Sequence, residues 1–206
     1  MLENIHWFGH ASFKITGEKT IYIDPYEIKK PTPADLILIT HEHFDHCSPA
    51  DIQKLTGSST VIVATSDCAS KLKAKVKTVS PGQTLNVSGI NIETVAAYNT
   101  NKQFHPKAKN WVGYILTVNG MRIYVAGDTD HIPEMKNLKD IDIAIVPVSG
   151  TYVMTAEEAI KVVMDIKPKV AAIPMHYGTI VGTRADAERF AKGLEGTVRI
   201  LILDAE

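Results

Sequence analysis

Cysteine is scarce. Cys47 and Cys68 are the only two and have no CxxC spacing, which excludes a disulfide framework and a thiolate zinc site and leaves two reduced, partly buried thiols as the expectation. Net charge is equally lacking: 22 Lys and Arg against 23 Asp and Glu leave a formal charge of -1. Composition therefore argues for neither a nucleic-acid partner nor an acidic surface, and any affinity for anions has to be local. No apolar run approaches the length of a membrane span, and the opening MLENIHWFGHASF carries neither the basic patch nor the apolar stretch of a signal peptide. A cytoplasmic chain with no membrane partner is expected. Low-complexity tracts and Pro/Gly linkers are missing too, so residues 1–206 are expected to form one domain. With 45% hydrophobic and 22% charged residues, disorder and a collagen-like fibre are excluded.

What is present is a series of short β-branched runs separated by turn signals or helical patterns. They begin at 20-TIYIDP, 36-LILIT, 60-TVIVAT, 90-INIETVAA, 111-WVGYILTV, 121-MRIYVAG, 141-IDIAIVPV, 169-KVAAIP and 197-TVRILIL. Helices are expected from Ser48-Pro49 to Gly57, after the Thr155/Glu158 capping box, and from Thr183 to about Gly193, with Ser66 capping a fourth. Asn119-Gly120 predicts a type I′ hairpin joining 111–118 to 121–126. The strand–helix alternation falls into two halves, to roughly residue 95 and from 110 on, which suits two sheets packed face to face with helices outside. Between them, 98-YNTNKQFHPKAKN-110 is polar and aperiodic, the character of a functional loop.

Histidine is the informative residue, because three of the eight fall in His41-Glu42-His43-Phe44-Asp45-His46, directly after a strand. Such a run has no role in a core. Buried unpartnered polar and charged groups cost several kcal/mol, so water, a substrate or a metal has to satisfy them, and a divalent cation is the economical answer. Asp128 in AGDT and His176 in PMHYG also follow apolar runs, although a lone Asp there is usually a turn former and a lone His an ordinary surface or core residue.

HEHFDH resembles the HxHxDH signature of the metallo-β-lactamase-fold hydrolase superfamily, and AGDTD and PMHYG are similar to its later metal-ligand motifs in order and rough spacing. IHWFGHASF and YIDPY look like the small subgroup containing the L-ascorbate-6-phosphate lactonase-like enzymes. The resemblance implies an α/β, four-layer αββα sandwich of two mixed β-sheets flanked by helices. It implies a first metal held by His41 and His43, a second held by Asp45, His46 and His176, and Asp128 bridging them. The family's third histidine on the first metal is replaced by Asn99 in Ala97-Tyr98-Asn99, so either Asn99 supplies an oxygen or His105 from the neighbouring loop takes the place. One or two divalent ions are expected, with zinc, manganese and nickel ahead of iron.

Metal coordination lowers the pKa of water from about 15.7 to about 7, so hydrolysis follows, with Asp45 taking the proton or orienting the water. Asp24 and His10 are candidates for outer support of ligand imidazoles or for substrate contact, and Tyr177 for substrate contact beside His176. Trp7 and Trp111 suit the core or the pocket wall. Lys102, Lys107, Lys109 and Arg184 suggest a small anionic substrate, a phosphodiester or a sugar-phosphate lactone. The run 71-KLKAKVK-77 suggests a backbone contact for single-stranded nucleic acid or, more commonly, lysines that protect a sheet edge or coat a helix. A homo-oligomer is expected on general grounds. Two other readings remain open at this point: an iron-dependent oxidoreductase on the same scaffold, and a catalytically inactive metal-binding protein, the latter prompted by Asn99.

Overall fold

The computed structural model describes residues 1–206. The first sheet has β1 (Ile5–Trp7), β2 (Phe13–Ile15), β3 (Ile21–Ile23), β4 (Ala34–Ile39), β5 (Thr56–Ala64) and β6 (Val76–Thr78) side by side in chain order. The second runs from β7 (Thr84–Val87) through β8 (Ile90–Ala96), β9 (Val112–Val118), β10 (Met121–Val125) and β11 (Ile143–Pro147) to β12 (Ala171–Met175). Both are mixed: β3, β4, β5 and β6 run parallel in one, and β10, β11 and β12 in the other. The division between the halves is therefore after residue 78, not near 95, because β7 and β8 join the second sheet.

Strand β4 shows why the layers form. Leu36 and Leu38 enter the large core shared by both sheets, while Ile37 and Ile39 enter a smaller core with Ile52 and Leu55. Burial on both faces produces a continuous apolar run in place of alternation. The outer face of the first sheet is covered by α1 (Pro49–Leu55) and α2 (Ser66–Lys71). The second is covered by α3 (Ala156–Ile166) and α4 (Arg184–Gly193), whose Val162, Val163 and Phe190 belong to the large core. This is the expected αββα sandwich, with the helices following their caps. Thr155 and Glu158 form the reciprocal box, Ser48 accepts from the Asp51 amide, and α4 starts after Thr183. Asn119 and Gly120 both have positive φ, 50° and 76°, as a type I′ hairpin requires.

Some expectations need correction. Helix α1 stops at Leu55 because Thr56 already pairs with Ala34, and α2 is capped at Thr65, one residue before Ser66. Strands β1, β2, β6 and β7 are too short to show a period. The run from Thr197 forms no strand: it bridges β12 only at Ile200, with its apolar side chains laid against the large core. Cys47 and Cys68 are both fully buried free thiols rather than partly exposed ones. Lys77 lies on the edge strand β6, as edge protection predicts. No helix is long and apolar enough to cross a membrane.

Candidate metal centre

The parallel strands β3, β4, β10 and β12 end at one edge of the sandwich, and each is followed by a candidate residue: Asp24, His41–His46, Asp128 and His176. In parallel sheets the carboxyl ends leave a crevice that loops can line, which is why residues scattered over the chain meet there. Two further histidines arrive from loops, His10 between β1 and β2 and His105 between β8 and β9. The approach is close. Gly127, with φ at 66°, lies where a Cβ would stand 2.9 Å from the Val112 carbonyl and 3.2 Å from Thr40. The Val112 amide also donates to the Thr40 carbonyl at 3.2 Å, tying the two sheets together beside His41. His10, Asp24 and His176 all have left-handed backbones, φ 52°, 45° and 61°. Non-glycine residues rarely adopt that conformation, and such strain concentrates at functional sites.

The hydrogen bonds reveal which imidazole nitrogen faces inward. Thr40 donates its hydroxyl to Asp24 Oδ2 at 2.6 Å, so it accepts from His41 Nδ1 at 3.0 Å, which leaves His41 Nε2 as a lone pair that accepts from His43 Nδ1 at 3.0 Å. His46 Nδ1 donates to Asp24 Oδ2 at 2.7 Å, leaving Nε2 inward. Asn99 spends its amide nitrogen on Asp130 and the Tyr152 carbonyl, so its oxygen accepts from both the His105 amide and His105 Nδ1. His105 Nε2 is then a lone pair 3.2 Å from Asp128 Oδ2. His176 places Nδ1 on Ser149 and Nε2 3.0 Å from the same Asp128 oxygen. His10 Nε2 meets Asp45 Oδ2 at 2.9 Å.

These inward atoms fall into three overlapping groups in which all donors lie within 4.8 Å: His41, His43 and His105; His41, His46 and Asp128; and His10, Asp45, His46 and His176. His46 Nε2, His105 Nε2 and Asp128 Oδ1 are buried with no hydrogen-bond partner. The His105 Nε2 lone pair faces the Asp128 carboxylate in a buried space, a repulsive arrangement that a cation between them would resolve. Imidazole with carboxylate is a donor set for zinc, manganese, nickel or iron. The residues present therefore fit a metal.

The electrostatics agree. Burial keeps His41 well below an ordinary imidazole pKa, and burial aided by His105 does the same more mildly for His43. Both are neutral at pH 7 and ready to donate lone pairs. Burial opposes charge on His46 too, but Asp128 and Asp24 outweigh it and hold its pKa well above the usual value. Burial would raise Asp128, yet His176 and His46 pull it well below the carboxylate range. The carboxylates thus call for positive charge at this point.

Several sequence expectations resolve here. His105, not Asn99, joins His41 and His43, and Asn99 instead orients His105. Asp24 occupies the outer position expected of it, whereas His10 meets Asp45 and sets its ring 3.9 Å from that of His176. Trp111 stands against His41 and His43, with ring centroids 4.8 and 4.9 Å away. Tyr177, expected to contact substrate, is buried on Trp7, its hydroxyl has no hydrogen-bond partner, and burial pushes its pKa up to about 12. The cations expected to draw an anion are each paired, Lys102 with Asp130, Lys107 with Glu134, Lys109 with Glu42 and Arg184 with Asp204. Thr40 and Ser149 carried no sequence signal, and Asp130 entered only as the last residue of AGDTD with no role attached, since polar residues after strands are common turn formers.

Comparison with known proteins follows the same line. Residues 4–176 match the family described as the beta-lactamase superfamily domain. A UPF0173 metal-dependent hydrolase of Thermoplasma acidophilum is 35% identical over 222 residues, spanning 100% of this chain and 97% of the relative. One from Thermococcus onnurineus is 36% identical, spanning 97% and 95%. A crystal structure from Parabacteroides distasonis, also described as a metal-dependent hydrolase, superimposes with a TM-score of 0.88 at 38% identity, covering 98% of this chain and 93% of that one. With its donor set, its two mixed sheets and these relatives, the chain belongs to the UPF0173 family of metal-dependent hydrolases, within the β-lactamase superfamily.

Proposed function

We propose that the converging histidines and carboxylates hold one or two divalent ions, and that the protein uses water to cleave an ester or lactone bond at them. In this reading His41, His43 and His105 grip one ion, Asp45, His46 and His176 a second, and Asp128 reaches both. A bound ion supplies acidified water and polarises the oxygen of the scissile group. The chain's own groups set the geometry. Asp24 and Thr40 lock the tautomers of His46 and His41, Asn99 locks that of His105, and His10 fixes one oxygen of Asp45. His10 engages only Asp45 Oδ2, and in this reading the other oxygen, Oδ1, holds the water or receives its proton.

The observation that carries this reading is the set of buried, inward-facing ring nitrogens without partners. His105 supplies the nitrogen whose apparent absence prompted the inactive alternative. The finer expectation, a phosphodiester or a sugar-phosphate lactone, drew on the L-ascorbate-6-phosphate lactonase-like subgroup resemblance and, for its anionic character, on lysines and an arginine that are each within reach of a carboxylate. The ester class is retained here and the anionic requirement is not. The test is metal analysis of the purified protein, then a panel of phosphodiester, phosphomonoester, lactone, carboxylic ester and β-lactam with Zn²⁺, Mn²⁺ and Ni²⁺ in turn. Turnover of a carboxylic ester or lactone that is lost on chelation is expected. Iron with visible absorbance and no hydrolysis would overturn the reading.

A further inference from the structure

Four large hydrophobic side chains are exposed in this protein: Phe44, Phe104, Met164 and Ile180. Scattered singly, such residues are unremarkable on any surface. Three of these four, however, sit on the loops that carry the candidate ligands. Phe44 lies between His43 and Asp45, Phe104 immediately precedes His105, and Ile180 follows His176 by four residues. Their exposures are 66%, 50% and 38%.

Both phenylalanines are braced. The Phe44 ring meets Tyr26 edge to face at 5.9 Å, and Tyr26 belongs to the turn of Asp24, the residue that orients His46. The Phe104 ring meets Tyr152 edge to face at 4.6 Å, and the Tyr152 carbonyl holds Asn99, the residue that orients His105. Each rim phenylalanine therefore leans on a tyrosine from a segment that also positions a ligand histidine. Edge-to-face contact of this kind fixes an exposed ring without hiding it.

The charges nearby point the same way. Glu42, between His41 and His43, is shared by Lys71 and Lys109 at 3.0 and 2.7 Å. Lys102 is spent on Asp130 at 2.6 Å. Two lysines share Glu42, and the second carboxylate within reach is Asp67, 4.0 Å from Lys109, so the cations beside the exposed rings are already engaged by acids, which suits an uncharged apolar group better than a phosphate-bearing one.

We infer that Phe44, Phe104 and Ile180 form an apolar collar at the mouth of the metal centre, which receives an uncharged alkyl or aryl group flanking the scissile bond. The substrate class is accordingly a hydrophobic carboxylic ester or lactone. This rests on the hydrolase reading above. In the reaction, the water oxygen bonds to the acyl carbon and the bond from that carbon to the alcohol oxygen breaks. One water proton ends on the alcohol oxygen, the other on the new carboxyl group.

The experiment has two arms on the full chain. In the first, kcat/KM of the zinc- and manganese-loaded protein is measured on p-nitrophenyl acetate, butyrate, hexanoate and octanoate, with p-nitrophenyl phosphate as the anionic competitor. A rise of about two- to fourfold per buried methylene is expected, with a flatter slope in Phe44→Ser and Phe104→Ser. In the second, the uncharged fluorophore N-phenyl-1-naphthylamine is titrated against metal-free protein, and at least a fivefold weaker affinity is expected in the double variant. Hydrolysis that ignores chain length, or favours the phosphate, overturns the collar and leaves the hydrolase standing. No hydrolysis with either ion, but fluorophore binding lost in the variants, overturns the hydrolase reading and leaves the collar as an apolar ligand site. A dimer that dissociates in Phe104→Ser also overturns the proposal, because the rings would then be covered by a second copy.

Discussion

Asn99 holds His105 twice with one oxygen, accepting from its amide at 2.9 Å and from its ring Nδ1 at 3.0 Å. The residue that takes the expected ligand's place in the sequence thus aims the actual candidate, six positions on. Outer partners of this kind typically contribute 10- to 100-fold in metal affinity. Asn99→Ala should lower affinity by about that factor while the far-UV spectrum stays unchanged, as read by competition with a chromophoric chelator. Undiminished affinity would mean that His105 does not bind metal.

Asp128 faces His46, His105 and His176 at 3.3, 3.2 and 3.0 Å. If it reaches both ions, Asp128→Asn should lose metal and hydrolysis together, and His43→Ala should do the same. Metal content of purified Asp128→Asn equal to that of the wild type would contradict the bridging role.

Metal removal should also destabilise the fold, because ions bound only to the native state stabilise it by mass action. At a free concentration near 100 times Kd this amounts to about 2.7 kcal/mol, or roughly 5–10 °C in Tm for a chain of this size. Scanning calorimetry before and after chelation, and after returning zinc or manganese, measures it. A Tm indifferent to both treatments would show that the donors do not grip a cation.

At Gly127, a Cβ would crowd the Val112 carbonyl and Thr40, and the positive φ adds strain. Gly127→Ala should cost about 1–3 kcal/mol in urea unfolding. It should also weaken metal binding, because Thr40 precedes His41 and bonds its ring. An unchanged urea midpoint would show that the two sheets do not approach as described.

Asp51 ties the turn after β3 to α1, accepting from the Glu27 and Ile28 amides, Ser48 and Lys54. Burial raises its pKa, but Lys54, Ser48 and the Glu27 amide outweigh that and leave it below 3.8. A depressed folded-state pKa means that the unfolded chain binds more protons in this window, so the stabilisation is present above about pH 4 and lost as pH falls through the folded value. The stability gap between wild type and Asp51→Ala should therefore be full at pH 7 and shrink below pH 4, as read from urea midpoints. A gap that widens on acidification would reverse the assignment.

The layers and the first candidate donors were legible in the chain itself. Unbroken apolar runs such as LILIT mark strands buried on both faces, caps mark helices, and HEHFDH packs donors too densely for any core. Three-residue strands left no period to read, and the C-terminal apolar run looked like a strand because hydrophobicity alone does not distinguish pairing from lying against a core. The partner of each lysine was equally invisible, since Lys102 and Asp130 or Lys109 and Glu42 are far apart in sequence.

The order of residues determined the longer strands, the Asn119-Gly120 turn and that a dense run of histidines and carboxylates follows β4, because these depend on local spacing and backbone preference. The folded structure alone decided that His105 rather than Asn99 faces the cluster, that Tyr177 is buried on Trp7 and that Phe44 and Phe104 stay exposed beside the candidate ligands. Those outcomes depend on which side chains meet across two sheets and which hydrogen bonds then remain to be filled, and nothing in the spacing of neighbours along a chain carries that information.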